Sequence, residues 1–351
     1  MYTDRSASQR DPELPLSRPQ LGTTAPAFVV GSRRSGTTLV SRVIDAHPAF
    51  SIYHESFLYP IFHSELRWYG DVRVTANLRR LIEDVREVLG TQIPDVPSLD
   101  RIHEALTQPT LSGVFGALLH LYALEHGKRR GGDKTPEHHR YLADLLRDFV
   151  GSPVVFTVRD PRDTVVSMQR VFDTSVEGAA HRWRDAFESY SAYADRVHLV
   201  KYETLVSEPE AEVRRLCAAL GEEFDAGMLE FHRRTSNEFG RLGGEKLSSA
   251  IDQTSVGQLH ALAESDLRMI EAACADGMER LGYAFAAGGR SGTAARAQRR
   301  QSRWRWIVDR LRYYGLKRRR WRRGAARWKV QARVRLRWLL LRRAPNRRGA
   351  P

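Results

Sequence analysis

Two rhythms of apolar and polar positions run through this chain. Ala27-Phe28-Val29-Val30 is a short unbroken apolar run, and the residues after it, Leu39, Val40, Val43 and Ile44, suit one face of a helix. Phe50-Ser51-Ile52-Tyr53 predicts a second short strand, ending at His54-Glu55-Ser56. Residues 72 to 127 keep helical spacing through Leu78, Leu81, Ile82, Val85 and Leu89, then through Leu111, Phe115, Leu118, Leu119 and Tyr122, with a break at Ile93-Pro94-Asp95-Val96-Pro97. This helical insert is expected to wall a pocket. Gly131-Gly132-Asp133-Lys134-Thr135-Pro136 has no apolar run and precedes another helical pattern at Tyr141, Leu142, Leu145, Leu146 and Phe149. Pro153 to Val158 reads as a buried parallel strand, and Asp160 and Pro161 suit the cap and first turn of a helix carrying Val165, Met168 and Phe172. His198-Leu199-Val200-Lys201-Tyr202 is the last strand pattern, and a packing helix is expected from Asp266 to Leu281. Strands alternating with helices predict an α/β fold, a doubly wound parallel sheet flanked by helices.

The junction between the first strand and the first helix is Gly31-Ser32-Arg33-Arg34-Ser35-Gly36-Thr37-Thr38. Glycines at such a junction let main-chain amides and a helix N-terminus converge on a phosphate, as in a P-loop. A nucleoside triphosphate loop of the Walker type would place a lysine after the second glycine and then a Ser/Thr for magnesium. Here Thr37 and Thr38 follow Gly36 and the charge sits on Arg33 and Arg34. The loop therefore suits a phosphorylated adenosine without a metal-bound triphosphate, which argues against a small kinase.

Composition changes the picture in one respect. The formal net charge is +14 over 351 residues, yet residues 290–351 hold 23 lysines and arginines and a single acid, Asp309. The rest of the chain holds 33 basic and 41 acidic side chains. The chain thus divides into a mobile arm over 1–25, an acidic body over 26–288 and a basic, helical tail over 289–351, with a boundary near Gly288-Gly289-Arg290-Ser291-Gly292. Cys217 and Cys274 lie in apolar helical patterns and read as buried thiols, with neither a disulfide framework nor a metal site indicated. Residues 1–20 lack the apolar core of a signal peptide, and no stretch approaches the ~20 apolar residues of a membrane span, so the expectation is a cytoplasmic protein.

The segments GSRRSGTTLVSRVIDAHP, GDKTP, TVRDPRDTVVSM and VKYETLVSEPEAEVRRLCAALG, in this order, resemble sulfotransferases that use 3′-phosphoadenosine 5′-phosphosulfate (PAPS). The likeness covers about residues 27 to 286 and is strongest to bacterial PAPS sulfotransferases and the tyrosylprotein sulfotransferases. It implies that Arg33, Arg34, Ser35, Gly36, Thr37 and Thr38 surround the 5′-phosphosulfate, and that Arg159 and Ser167 hold the 3′-phosphate. A planar guanidinium and a hydroxyl donor suit that task; an ion pair of Arg159 with Asp163 is the alternative. It implies further that Lys134 contacts the donor's bridging oxygen, where the alternative is a surface lysine in a glycine loop. Glu55 stands 21 residues beyond Arg34, the spacing of the catalytic glutamate in the tyrosylprotein group that the chain resembles. As a carboxylate it can take the proton of an acceptor hydroxyl during in-line transfer, with Arg34 and Lys134 stabilising developing charge. His54 is the rival base. Side chains of adjacent strand residues point to opposite faces, so only one of the two is expected to face the donor. No metal is called for.

One departure concerns the loop expected to close over the donor. Leu247-Ser248-Ser249 and Thr254-Ser255-Val256-Gly257 supply serines, but Gln258-Leu259 replaces the family's basic residue and tryptophan, so Ser255 is the weakest donor contact. Phe57, Tyr59, Phe62, Trp68 and Tyr69 suit either an acceptor cleft or core packing. The tail carries Trp304, Trp306, Trp321, Trp328 and Trp338 among its arginines, a composition that suits an anionic membrane surface and would place the protein at the inner membrane face. Nucleic acid, an anionic polymer or the acidic body itself are the other partners it would fit. The two functional readings are a sulfotransferase acting on a hydroxyl or amine of a saccharide, lipid, peptide or metabolite, and a nucleotide-fold scaffold working through its tail.

Overall fold

The computed structural model describes residues 25–90, 96–234, 251, 255–258, 262–286, 329–330 and 332–333. Most of the N-terminal arm, Leu247-Ser248-Ser249, Thr254, Leu259, the glycine boundary near residue 288 and the five tail tryptophans lie outside the described residues.

Five parallel strands form the centre: β1 (Ala27–Gly31), β2 (Phe50–His54), β3 (Arg130–Lys134), β4 (Val154–Val158) and β5 (His198–Lys201), in the order β2-β3-β1-β4-β5. Alternation along β1 separates two cores. Ala27 and Val29 face a cluster built with Val40, Val43 and Ile44 of α1 (Thr37–Asp45) and with Val213 and Leu216 of α10 (Pro209–Leu220). Phe28 and Val30 face the larger cluster on the other side of the sheet. That side carries α3 (Thr75–Leu89), α4 (Leu99–Ala105), α5 (Leu111–Glu125), α7 (Pro161–Val171), α8 (Val176–Ser191) and α12 (Glu264–Leu281). Helices on both faces explain why β1 and β4 read as unbroken apolar runs. Asp160 caps α7 through a 2.8 Å bond from Arg162 N, and Pro161 opens that helix, as the sequence predicts. Cys217 and Cys274 are buried free thiols.

β3 is the strand that the apolar pattern does not announce. Its sequence, RGGDK, is all buried between β1 and β2. A Cβ at Gly131 would lie 2.1 Å from Leu119 O of α5, and one at Gly132 would lie 2.6 Å from Ala27 O. The glycines are there because a helix backbone and a neighbouring strand come too close for any side chain. Lys134, weighed above as a surface lysine, is instead 0% exposed at the carboxyl end of this strand.

The short helix α2 (Leu58–Phe62) follows β2 and leads into the insert formed by α3, α4 and α5. Tyr59, Phe62 and Tyr69 are buried in the larger core, so these aromatics pack rather than line a cleft. The described tail residues touch the same insert. Val330 is 1% exposed within that core, and Arg333 pairs with Asp84 and, at 2.7 Å, with Glu87 of α3. No helix among the described residues is long and apolar enough to cross a membrane.

Candidate active site

In a parallel sheet of this order the loops after the strands meet at one edge, and ligands sit beyond the carboxyl ends of the strands. The loop after β1 curls through Gly36, whose φ of 97° only glycine adopts readily, and hands over to α1. A Cβ there would meet Tyr202 Cδ2 at 2.6 Å, so Gly36 also makes room for an aromatic ring. Ser35 Oγ lies 2.7 Å from Ser32 O and 2.8 Å from Thr157 O, which ties the loop to β4. That hydroxyl is committed to shaping the loop. Thr37 is buried and Thr38 half-buried in the first turn of α1, where the helix end attracts anions. Arg33 pairs with Glu137, and its guanidinium lies 5.6 Å from the Phe57 ring centroid and 5.5 Å from that of Phe172. Arg34 is exposed, has φ 68° and donates from Nε to Ser167 Oγ at 3.1 Å. Desolvation and the like charge of Arg159 both lower its pKa.

At the end of β2, His54 pairs in register with Lys134, and the next residue leaves the strand: Glu55 has φ 60°. This turn breaks the alternation on which the choice between His54 and Glu55 rests. Lys134 Nζ donates to Glu55 Oε1 at 2.8 Å and lies 3.5 Å from His54 Nε2, while His54 Nε2 is 3.9 Å from Glu55 Oε1. Both candidates therefore stand beside the lysine. Burial pushes the Glu55 carboxyl up, but Lys134, Arg33 and His54 outweigh it and hold it well below the usual carboxylate range. Burial depresses Lys134, and the Glu55 carboxylate opposes that loss of charge.

At the end of β4, Arg159 is buried and makes the Asp163 contact weighed as its alternative, together with one that the sequence did not suggest. It lies 3.6 Å from Asp163 Oδ2 and donates to Ser255 O. Asp163 in turn accepts from Gly257 N at 2.9 Å and Gln258 N at 2.7 Å. Arg159 thus sits under segment 255–258, with its guanidinium 4.9 Å from the Tyr202 ring centroid. The structure pairs Arg34 with Ser167 and Arg159 with Ser255, and the two arginines are near enough for their like charges to oppose each other.

All three non-glycine residues with positive φ among those described, Arg34, Glu55 and Phe57, lie at these strand ends. Each such conformation costs on the order of 1 kcal/mol or more and persists where surrounding contacts enforce it. Among the described residues no cluster of three or more His, Cys, Asp or Glu is arranged to hold a metal ion.

The sequence profile described as the sulfotransferase family matches residues 26–226, which contain all five strands and every site residue except Ser255. The chain belongs to the sulfotransferase family. Among its relatives is Protein-tyrosine sulfotransferase 1 of Danio rerio, 27% identical over 240 residues, covering 64% of this chain and 61% of that one. Nodulation protein NoeE of Sinorhizobium fredii is 26% identical over 262 residues, covering 65% and 58%. The chain thus spans about three fifths of the length of these two relatives. A solved sulfotransferase domain from the Synechococcus PCC 7002 olefin synthase aligns with 73% of this chain and 97% of its own, at 18% identity and a TM-score of 0.48. Of the residues that meet here, the sequence reading left Tyr202 and Glu137 without a role, while it named Asp163 as the alternative partner of Arg159. Tyr202 sits in the quoted VKYETL segment directly after β5, a position where an aromatic at a strand end is the available signal. The partners of Arg33 and Arg159 are contacts through space, and only the short Arg159 to Asp163 spacing is visible in the chain.

Proposed function

We propose that this protein transfers the sulfuryl group of PAPS to a hydroxyl of an acceptor, with Glu55 as the general base. The donor supplies an activated sulfur whose S–O bond to phosphate breaks as a bond from the acceptor oxygen forms. Glu55 takes the acceptor's proton on a carboxylate oxygen and later returns it to solvent. Lys134 and Arg34 carry fixed positive charge toward the oxygens on which negative charge grows, and no reorganisation is needed at that moment. The glycine loop and the N-terminus of α1 suit the 5′ end of the donor, while Arg159 and Ser167 suit its 3′-phosphate. Ser255 bounds the same side.

The observation that carries this reading is the convergence of Lys134, Glu55 and Arg34 at adjacent strand ends, each fixed by burial or by an unusual backbone conformation. A scaffold has no use for a buried lysine beside a depressed carboxylate. The Danio rerio relative is named for protein tyrosine, and a phenolic hydroxyl on a peptide is accordingly one acceptor of the proposed class. The test compares thermal shifts with 3′,5′-adenosine diphosphate and 5′-AMP, together with transfer of ³⁵S from PAPS to cell extract. Preferential stabilisation by the doubly phosphorylated nucleotide and label transfer that disappears in Glu55→Gln support the reading. An equal response to both nucleotides with no transfer ends it.

A further inference from the structure

The turn that carries Glu55 is held from below by the segment that carries Lys134, residue against residue. Glu55 N donates to Lys134 O at 2.8 Å, Ser56 N to Asp133 Oδ1 at 3.1 Å and Phe57 N to Thr135 Oγ1 at 3.3 Å. Three successive amides are thereby fixed by three successive residues of the β3 end. The turn needs such fixing, because Glu55 (φ 60°) and Phe57 (φ 53°) both occupy the left-handed region that side-chain-bearing residues avoid.

One of the three anchors is unusual. Lys134 offers a main-chain carbonyl that any residue would supply, and Thr135 a hydroxyl. Asp133 offers a carboxylate that is 0% exposed, in the middle of a sheet, where an unpaired charge is expensive. Its second oxygen, Oδ2, lies 3.1 Å from Nδ1 of His138, which is also 0% exposed and packed against the Tyr59 and Phe115 rings. His138 thus lies within ion-pair distance of Asp133 without a hydrogen-bonding alignment, and it is Asp133 Oδ1 that reaches the main chain directly after Glu55. The glycines before it, Gly131 and Gly132, already satisfy the close approaches of α5 and β1, and the Asp133 charge also supports the buried Lys134 ammonium beside it.

We propose that Asp133 is the positioning residue of this site: by accepting from the Ser56 amide, with His138 packed beside its other oxygen, it holds the strained turn that aims Glu55 at Lys134. It touches neither donor nor acceptor. The inference rests on the proposed role of Glu55. A misplacement of about 1 Å in a reacting group can cost on the order of a hundredfold in rate. The loops after β1 and β4, which suit the nucleotide, do not depend on this clamp.

The experiment uses the full chain with three substitutions: Asp133→Ala, Asp133→Asn and Glu55→Gln. Asparagine keeps an oxygen for the Ser56 amide, and its amide group can donate to a His138 that has changed tautomer. Readouts are the affinity for 3′,5′-adenosine diphosphate, kcat and donor KM for ³⁵S transfer from PAPS to cell extract, and a crystal structure of each variant. Asp133→Ala is expected to lower kcat about a hundredfold with donor KM and nucleotide affinity within about threefold of the parent, and to release the 2.8 Å contact between Lys134 and Glu55. Asp133→Asn is expected to restore kcat to within about tenfold and to keep the turn. The inference is overturned if Asp133→Ala keeps the turn and its kcat, or if Asparagine rescues nothing. Should the alanine variant not fold, the asparagine variant decides through its kcat and its Glu55 conformation. Unchanged turnover in Glu55→Gln would end the proposed base while leaving the crystallographic comparison to decide whether Asp133 holds the turn.

Discussion

Arg34 Nε donates to Ser167 Oγ across 3.1 Å, joining two residues 133 positions apart in the chain. The bond links the glycine loop to α7, the two elements proposed to hold opposite ends of one donor. A nucleotide carrying both phosphates should draw on both residues. Arg34→Ala is expected to weaken 3′,5′-adenosine diphosphate by about 2 kcal/mol, roughly thirtyfold in Kd, as for the loss of a charged hydrogen bond. Ser167→Ala should cost about 1 kcal/mol, roughly fivefold, and leave 5′-AMP unaffected. Calorimetric titration of each variant with each nucleotide checks this, and a Ser167→Ala change that weakens 5′-AMP equally would contradict the assignment.

The choice between Glu55 and His54 as base has a pH signature. The Glu55 carboxyl is held below its ordinary value of 4.5, because Lys134, Arg33 and His54 overcome the effect of burial. With the folded value depressed, its charge is present throughout neutral pH and is lost only well into acid. A Glu55 base therefore gives kcat/KM no acid limb between about pH 5 and 7, whereas a histidine base works only once its imidazole has lost its proton and so imposes such a limb. An acid limb that vanishes in His54→Gln would transfer the role to His54. On the alkaline side, burial lowers Lys134 from 10.5, so activity should fall before that pH is reached.

The same pair governs stability. Lys134 is wholly buried and Glu55 largely so, and removing one partner leaves an uncompensated charge. Lys134→Met and Glu55→Gln should each destabilise by about 2–3 kcal/mol in urea unfolding, while the double variant should lose much less than the sum. Strict additivity would mean that the two charges are not energetically coupled.

How much of this was legible in the chain depended on where the signal was local. β1 and β4 are apolar runs, β2 and β5 are short strand-forming segments with Phe50, Ile52 and Tyr53 or Leu199 and Val200, and Asp160-Pro161 announces α7, so four strands and the donor loop could be placed from residue order. β3 could not, because the reason for its glycines lies in Leu119 O and Ala27 O, which belong to other elements. The rivalry between His54 and Glu55 was framed by strand alternation, a rule that ends where Glu55 takes positive φ, a conformation enforced by β3 and the segment after it. Asp133 carried no local signal either: next to Lys134 it reads as one more charge, and its meaning comes from Ser56 and His138.

The described tail residues argue for a contact that composition leaves open. Val330 is buried in the larger core, and Arg333 sits over Asp84 and Glu87, with Asp84 also accepting from Tyr69 OH at 2.8 Å. A negative charge at either tail position would be repelled by α3 or forced into apolar surroundings. Val330→Asp and Arg333→Glu are each expected to lower stability by about 1–3 kcal/mol, the range for a buried charge or a broken ion-pair network. The acidic body is thus one partner of the basic tail, and an anionic membrane is the other expected one. Sedimentation with phosphatidylserine vesicles compares the full chain with one ending at residue 289. The full chain should pellet, and less so as salt rises, because each basic residue near the surface adds about 1 kcal/mol that screening removes. If both forms stay in the supernatant at low salt, the contact with α3 is the tail's role and the membrane is not its target.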